Sequence, residues 1–424
     1  MRKLYFICYF LVALMVSCNK SSLTLNEEAN LHQEGMSSET IPIDDAFAAL
    51  NDVLAETSIK TRAATSTISK EDVFVIGRQS IAASTKSATS LDLPDTLLYA
   101  VNFPDGGFSI MAANTNLNSS VICVTDQGAV TLESFSSGYS FLESTNVMTR
   151  STTESIDDED KVFLDAGPDY LYSLLISSTV KDYFDAKTIS DQQPETKESG
   201  VSSVGPLLET KWTQSAPFNK YKSPPGCVVI AVAQIMAFNE KPAISEFTTL
   251  SSSCTWTTLK NVYPSYNYSY SGSDFERNQA GLFANELGNS SNCDVDSSGG
   301  TTTKKAKSTL EKFGYDVTKR IGCGSGDIKK ITQQLVNDKT PVYMDGCRKD
   351  NNTGEQKGHA WVIDGLSNNM FHINWGWHGD CDGYYAKGVF DTADVASYDA
   401  NDPGYTYTGN DARDYYHYFR ILLY

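Results

Sequence analysis

The sequence predicts an α+β protein in two main parts, and three observations carry that expectation. Short apolar runs with turn residues between them crowd positions 72 to 130. An apolar run, Cys227 to Phe238, with Gln234 its main polar interruption, has the length of a helix buried on nearly all sides. After several helical segments, strand-like runs separated by Gly and Asp fill the stretch beyond Pro341. Helices followed by an antiparallel sheet is the α+β order.

Taken in chain order, Arg2 and Lys3 precede the apolar stretch Leu4 to Val16, too short for a membrane span. Residues 1–17 therefore read as an export signal, and the protein leaves the cytoplasm. The end of this stretch, Leu14-Met15-Val16-Ser17-Cys18, resembles a bacterial lipobox, with Met15 where Leu is usual. That makes Cys18 the candidate lipidation site and a lipid anchor the only expected membrane contact. The alternative is a plain secretion signal cut nearby. An amphipathic helix is expected at Asp44 to Leu54, then strands at Val73–Ile76, Leu97–Phe103, Gly107–Met111 and Val121–Val124. Pro104-Asp105-Gly106-Gly107 joins the second and third of these as a hairpin turn. Met148 to Asp160 is polar and acidic, and Lys161 to Tyr183 looks helical apart from a break at Gly167-Pro168. Ser190 to Ser203 is a linker by composition, so the main boundary is expected near residue 200, dividing 18–200 from 201–424. In the second part a helix from Cys227 ends near Asn239, before Pro242. Further helices are expected at Phe275–Leu287, Thr303–Phe313 and Asp327–Val336, and a strand at Pro341–Met344.

A chain of 424 residues with 40% hydrophobic and 20% charged residues can bury a core in each part. Its net charge of −18, with no basic run, argues against a nucleic-acid partner. None of the nine cysteines forms a C-x-x-C pair, so a zinc ribbon is unsupported, and no cofactor is called for. Five cysteines follow Cys227, enough for up to two disulfides of unreadable connectivity.

Catalytic chemistry is expected at Cys227. Pro224-Pro225-Gly226 turns the chain sharply into a helix, setting the sulfur in the first turn, where the helix dipole should lower its pKa. Of five histidines, His359 is the best-placed base, since it opens the strand-like run Ala360 to Asp364. A hairpin turn near Ser367 and Asn368 would bring it across from Asn374 to Trp377. Asn374 could then accept an N–H bond from His359, with Trp375 or Trp377 shielding that bond. His378, in a Gly-rich turn, is expected to be solvated. Gln214 and the N–H of Cys227 are the candidate oxyanion donors.

These residues resemble the streptopain family of papain-like cysteine peptidases. The resemblance rests on Trp212, Gln214, Pro217, Phe218 and Asn219; Gly226-Cys227-Val228 with Ala231 and Ala233 to Met236; Gly358 to Gly365; and His372 to Trp377 with Gly379, Asp382, Gly383 and Tyr384. Val101-Asn102-Phe103 and Gly106-Gly107-Phe108 also look like part of the family's propeptide. The resemblance implies a papain-like catalytic domain at 201–424 preceded by an α+β propeptide at 18–200 that inhibits it intramolecularly. It implies protein or peptide substrates, with Cys227 as nucleophile, His359 as general base, Gln214 serving the oxyanion, and Asn374 and Trp375 supporting the histidine. His378 departs from the family's Gly, and Ile230 from a smaller residue. A cell-wall peptide amidase or transpeptidase with the same dyad is the alternative enzyme; a binding lipoprotein is the non-catalytic one.

Overall fold

Alternating and apolar runs in the first part form α1 (Ile43–Glu56), β1 (Phe74–Ile76), β2 (Leu98–Asn102), β3 (Phe108–Ala112) and β4 (Val121–Thr125) in this computed structural model. It describes residues 39–57, 59, 70–82, 93–146, 162–188, 203–265, 269–367, 369–391 and 417–424. The export signal, Cys18, His32 and the linker residues 190–202 lie outside the described residues. No described helix is long and apolar enough to cross a membrane.

Thr131 caps α2 (Leu132–Ser144) through its hydroxyl and a reciprocal bond with Ser134. The stretch expected to begin a helix at Lys161 is instead a strand, β5 (Phe163–Asp165), and only α3 (Pro168–Thr188) is helical. The reason is tertiary: β5 pairs in parallel with a strand from the far end of the chain, and Pro168 starts the helix afresh.

The second part supplies α4 (Cys227–Asn239), α5 (Asp274–Leu287), α6 (Thr303–Lys312), β6 (Thr318–Ile321) and α7 (Ser325–Gln333). The strands β7 (Val342–Asp350), β8 (Gln356–Ser367), β9 (Met370–Asn374), β10 (Gly383–Ala386) and β11 (Tyr418–Leu423) follow. Every residue of α4 from Cys227 to Ala237 is buried, as its apolar sequence requires. Each large apolar side chain so buried contributes about 1.5–3 kcal/mol.

One sheet runs through both parts in the order β1-β2-β3-β4-β10-β9-β8-β7-β11-β6. Its seam is β4 against β10, where Val124 faces Tyr384 and Cys123 faces Tyr385. The cores merge as well, since Phe135, Tyr170 and Leu174 pack in one cluster with Trp361, Trp375 and Phe419. Arg348 of β7, fully buried, donates from Nε to Thr145 Oγ1 at 2.7 Å and from its terminal nitrogen to the Thr145 carbonyl at 2.8 Å. Thr40–Tyr424 thus form one compact unit. The seven described cysteines are all buried, and no disulfide joins them.

Candidate active site

Gly226 precedes α4 with φ of 92°, and a Cβ there would lie 2.5 Å from the Gly299 carbonyl oxygen. Glycine alone makes this turn, and it delivers Cys227 to the first turn of α4 facing β8. The N–H groups of Ala360 and Val228 both point at the sulfur. Gly358 allows β8 to close on β7, because a Cβ would meet the Gly346 carbonyl at 2.0 Å.

His359 follows, fully buried. Its Nε2 donates to the Trp375 carbonyl at 2.7 Å, and its Nδ1 lies 2.7 Å from Asp165 Oδ1. Trp377 packs 4.5 Å from the imidazole, with Trp375 and Trp361 behind it. Gln214 donates its side-chain N–H to the other oxygen of Asp165. The sulfur of Cys227, a ring nitrogen of His359 and a carboxylate oxygen of Asp165 all lie within 4.8 Å of one another. The structure therefore gathers Cys227, His359 and Gln214 around one carboxylate from the first part of the chain.

That carboxylate is held by its strand. Phe163 N–H donates to the Thr301 carbonyl at 3.1 Å, and Ala166 N–H to the Gly358 carbonyl at 2.8 Å. Residues 163–166 consequently fill the space between β8 and the loop before α6. The open surface groove of about 980 Å³ lies to one side, bordered by Pro217, Tyr270 and Arg277, and not over the sulfur.

Electrostatics departs from the expectation for Cys227. The helix terminus and two N–H groups favour a thiolate, but burial and the Asp165 charge outweigh them and push the thiol well above its ordinary value. Asp165 goes the other way. Burial would raise its pKa, but His359, the Gly167 N–H and Gln214 together hold it below the usual carboxylate range. Burial and nearby Asp126 push Asp382 up to about 7, and Asp382 accepts the N–H of Trp375 at 2.9 Å.

Asn374 is also corrected. It does not bond His359, because β8 and β9 pair Val362 with Asn374 and a bulge lies between Ile363 and Gly365. Its Nδ2 donates to the Thr210 carbonyl at 2.8 Å, while its Oδ1 accepts from Gln234 at 2.9 Å and from the Gly376 N–H at 3.1 Å. Asn374 thus shapes the Trp375-Gly376 turn, whose Trp375 carbonyl holds His359. His378 is buried rather than solvated, stacked on Tyr270 at 4.4 Å. His372 pairs with Asp364 at 2.6 Å, and that carboxylate overcomes burial to raise its pKa.

Two residues at the site carried little or no sequence signal. Asp165 sits in a short strand with no motif. Gln234 was visible only as the polar interruption of α4. It accepts from the Thr210 hydroxyl and the Trp212 N–H, both at 3.1 Å, while donating to Asn374. Gln234→Leu should leave these buried partners unpaired and cost about 3 kcal/mol of stability. Denaturant unfolding measures this, and a loss under about 1 kcal/mol would remove Gln234 from the role.

With this geometry stand the relatives. Residues 212–385 match the peptidase C10 family. Streptopain of Streptococcus pyogenes serotype M1 is 26% identical over 321 residues, covering 69% of this chain and 74% of its own. Residues 212–385 thus carry a streptopain-like cysteine peptidase domain. The serotype M28 streptopain is 25% identical over 320 residues, with the same coverage of 69% and 74%. Among solved structures, a fragment of prointerpain A from Prevotella intermedia overlaps 77% of this chain and 94% of its own, at 18% identity and a TM-score of 0.45. Active interpain A from the same organism overlaps 47% of this chain and 90% of its own, at 22% identity and a TM-score of 0.35. Both the family match and the streptopain relatives make this chain a cysteine endopeptidase with an α+β fold.

Proposed function

We propose that this streptopain-type peptidase is exported as a latent precursor, that residues 18–200 are its pro-segment, and that Asp165 holds the active site shut. One observation carries the reading: the Asp165 carboxylate bonds both His359 and Gln214 within reach of the Cys227 sulfur. A base whose Nδ1 is bound to a carboxylate cannot take the thiol proton, and an amide bound to the same carboxylate cannot serve an oxyanion.

Cleavage in the linker near residue 200 and departure of β5 would reverse each effect. Loss of burial and of the Asp165 charge would lower the Cys227 pKa, leaving the helix terminus to favour the thiolate. Freed Nδ1 would accept the Sγ proton. The thiolate would then add to the scissile carbonyl, with the oxyanion held by Gln214 and the Cys227 N–H. Collapse would expel the amine with the proton from His359, leaving a thioester, and water deprotonated by His359 would release the acid. Asn374 and Trp375 support His359 through the Trp375 carbonyl. Export rests on the signal at 1–17, with Cys18 as the proposed lipid anchor; radiolabelled-lipid incorporation that persists in Cys18→Ala would remove that anchor.

The pro-segment contact carries its own pH dependence. His417 is buried under α3, its ring 4.7 Å from Tyr170, and neither ring nitrogen has a hydrogen-bond partner among the described residues. Burial, then the Arg348 charge, hold its pKa well below the ordinary 6.5, with the Ser173 backbone opposing weakly. The docked state therefore excludes a proton that the released state binds. Docking should be strongest above about pH 6.5 and weaken below it, by up to about tenfold per pH unit. Precursor processing across pH 7.5 to 5 tests this, using His417→Phe, which should flatten the profile; an unchanged profile in that variant would reassign the effect.

A further inference from the structure

We propose that the latent form carries a transition-metal site, best suited to zinc(II), made by Cys227 Sγ, His359 Nδ1 and the Asp165 carboxylate. The three ligand atoms come from α4, β8 and β5 and lie within 4.8 Å of one another. Tetrahedral zinc, with bonds of about 2.0–2.3 Å, sets ligands roughly 3.3–3.7 Å apart. The sulfur therefore has to close in by about 1–1.5 Å at most, while Nδ1 and the carboxylate oxygen it bonds, 2.7 Å apart, move about 0.6 Å apart around the ion, shifts that side-chain torsions can supply. Thiolate, imidazole and carboxylate together are a zinc donor set, whereas calcium or magnesium would call for oxygens alone.

The surroundings fit as well. A metal-binding imidazole is usually oriented by a hydrogen bond from its other nitrogen, and His359 Nε2 already donates to the Trp375 carbonyl at 2.7 Å. A ligating carboxylate is usually steadied by an outer donor, and Gln214 supplies one to Asp165. The fourth position is left for water. A divalent ion would balance the Asp165 carboxylate together with the thiolate that forms as the Sγ proton leaves. Binding replaces the proton between Nδ1 and the carboxylate and releases the Sγ proton to solvent. The consequence is a second lock: metal would bridge the pro-segment to both members of the dyad.

The site stands on the arrangement of these three side chains and not on the catalytic reading. Only its weakening after processing, when Asp165 leaves with the pro-segment, rests on that reading. The test is a titration of the full-length, unprocessed protein with cobalt(II) near neutral pH. A thiolate-to-cobalt charge-transfer band in the near ultraviolet is expected, with visible bands of tetrahedral cobalt, all bleached by one equivalent of zinc(II). Cys227→Ser should abolish the charge-transfer band, and Asp165→Asn should weaken cobalt binding at least about tenfold. A band that survives Cys227→Ser, or an affinity unchanged in Asp165→Asn, overturns the site. If Asp165→Asn does not fold, the parent decides alone, since failure to show a stoichiometric, zinc-competed band also overturns it. Hydrolytic activity enters none of these readouts, so failure here leaves the peptidase assignment untouched.

Discussion

Cys227→Ala should abolish hydrolysis of a denatured protein substrate, lowering kcat/KM about 10⁴-fold or more, while the chain folds as before. The sulfur is the only group at the start of α4 able to form a covalent acyl bond. Removing one buried sulfur costs the fold about 1–2 kcal/mol, small against a core shared by both parts of the chain. The variant should also remain at full precursor mass during incubation that converts the parent, if processing is the enzyme's own work. Mass spectrometry and peptide release read both results from one sample. Hydrolysis at the parent's rate would exclude Cys227 as the nucleophile.

The second large effect is expected at Asp165. Asp165→Asn keeps the shape of the side chain but removes its charge, and an amide cannot accept from both His359 and Gln214. A charge-assisted hydrogen bond of this kind contributes about 1.5–3 kcal/mol, so the shut state should lose roughly 10–100-fold in population. The readouts are faster conversion of the precursor and faster labelling of Cys227 by a thiol-directed epoxide, both with a metal chelator present. Asp169→Asn, at the exposed start of α3, should change neither. Conversion of Asp165→Asn at the parent's rate would sink the latch. Its pH behaviour differs from that of His417. The lowered pKa of Asp165 means the latch is fully present above the ordinary carboxylate value of 3.8 and is lost as pH falls below it. Between pH 6.5 and 4, acid therefore acts on pro-segment docking through His417 while the latch itself holds.

Much of the second part was legible because local rules and global packing agree there. Cys227 to Asn239 is a helix over the expected span, since an apolar run starting after Pro-Pro-Gly has no competing way to bury itself. The four strands expected between Val73 and Val124 likewise sit within one residue of their observed bounds. Misreadings occurred where partners far away in sequence decide. Phe163–Asp165 has residues that suit a helix as well as a strand, and only pairing with Gln356–Gly358 selects the strand. The Asn374 bond was misassigned because a one-residue bulge and the distant Gln234 both redirect its side chain.

The sequence by itself determined the reagents: a cysteine at the start of a buried helix, a histidine on a strand, a glutamine upstream and the family they match. Their present state was decided by tertiary structure alone. An aspartate 62 residues before the cysteine in the chain reaches the dyad because β5 joins β8 in parallel. Once there, burial and its negative charge outweigh the helix terminus at the sulfur. Local sequence sets the direction of a backbone dipole, but desolvation and charge pairing depend on which distant side chains share the same dry space.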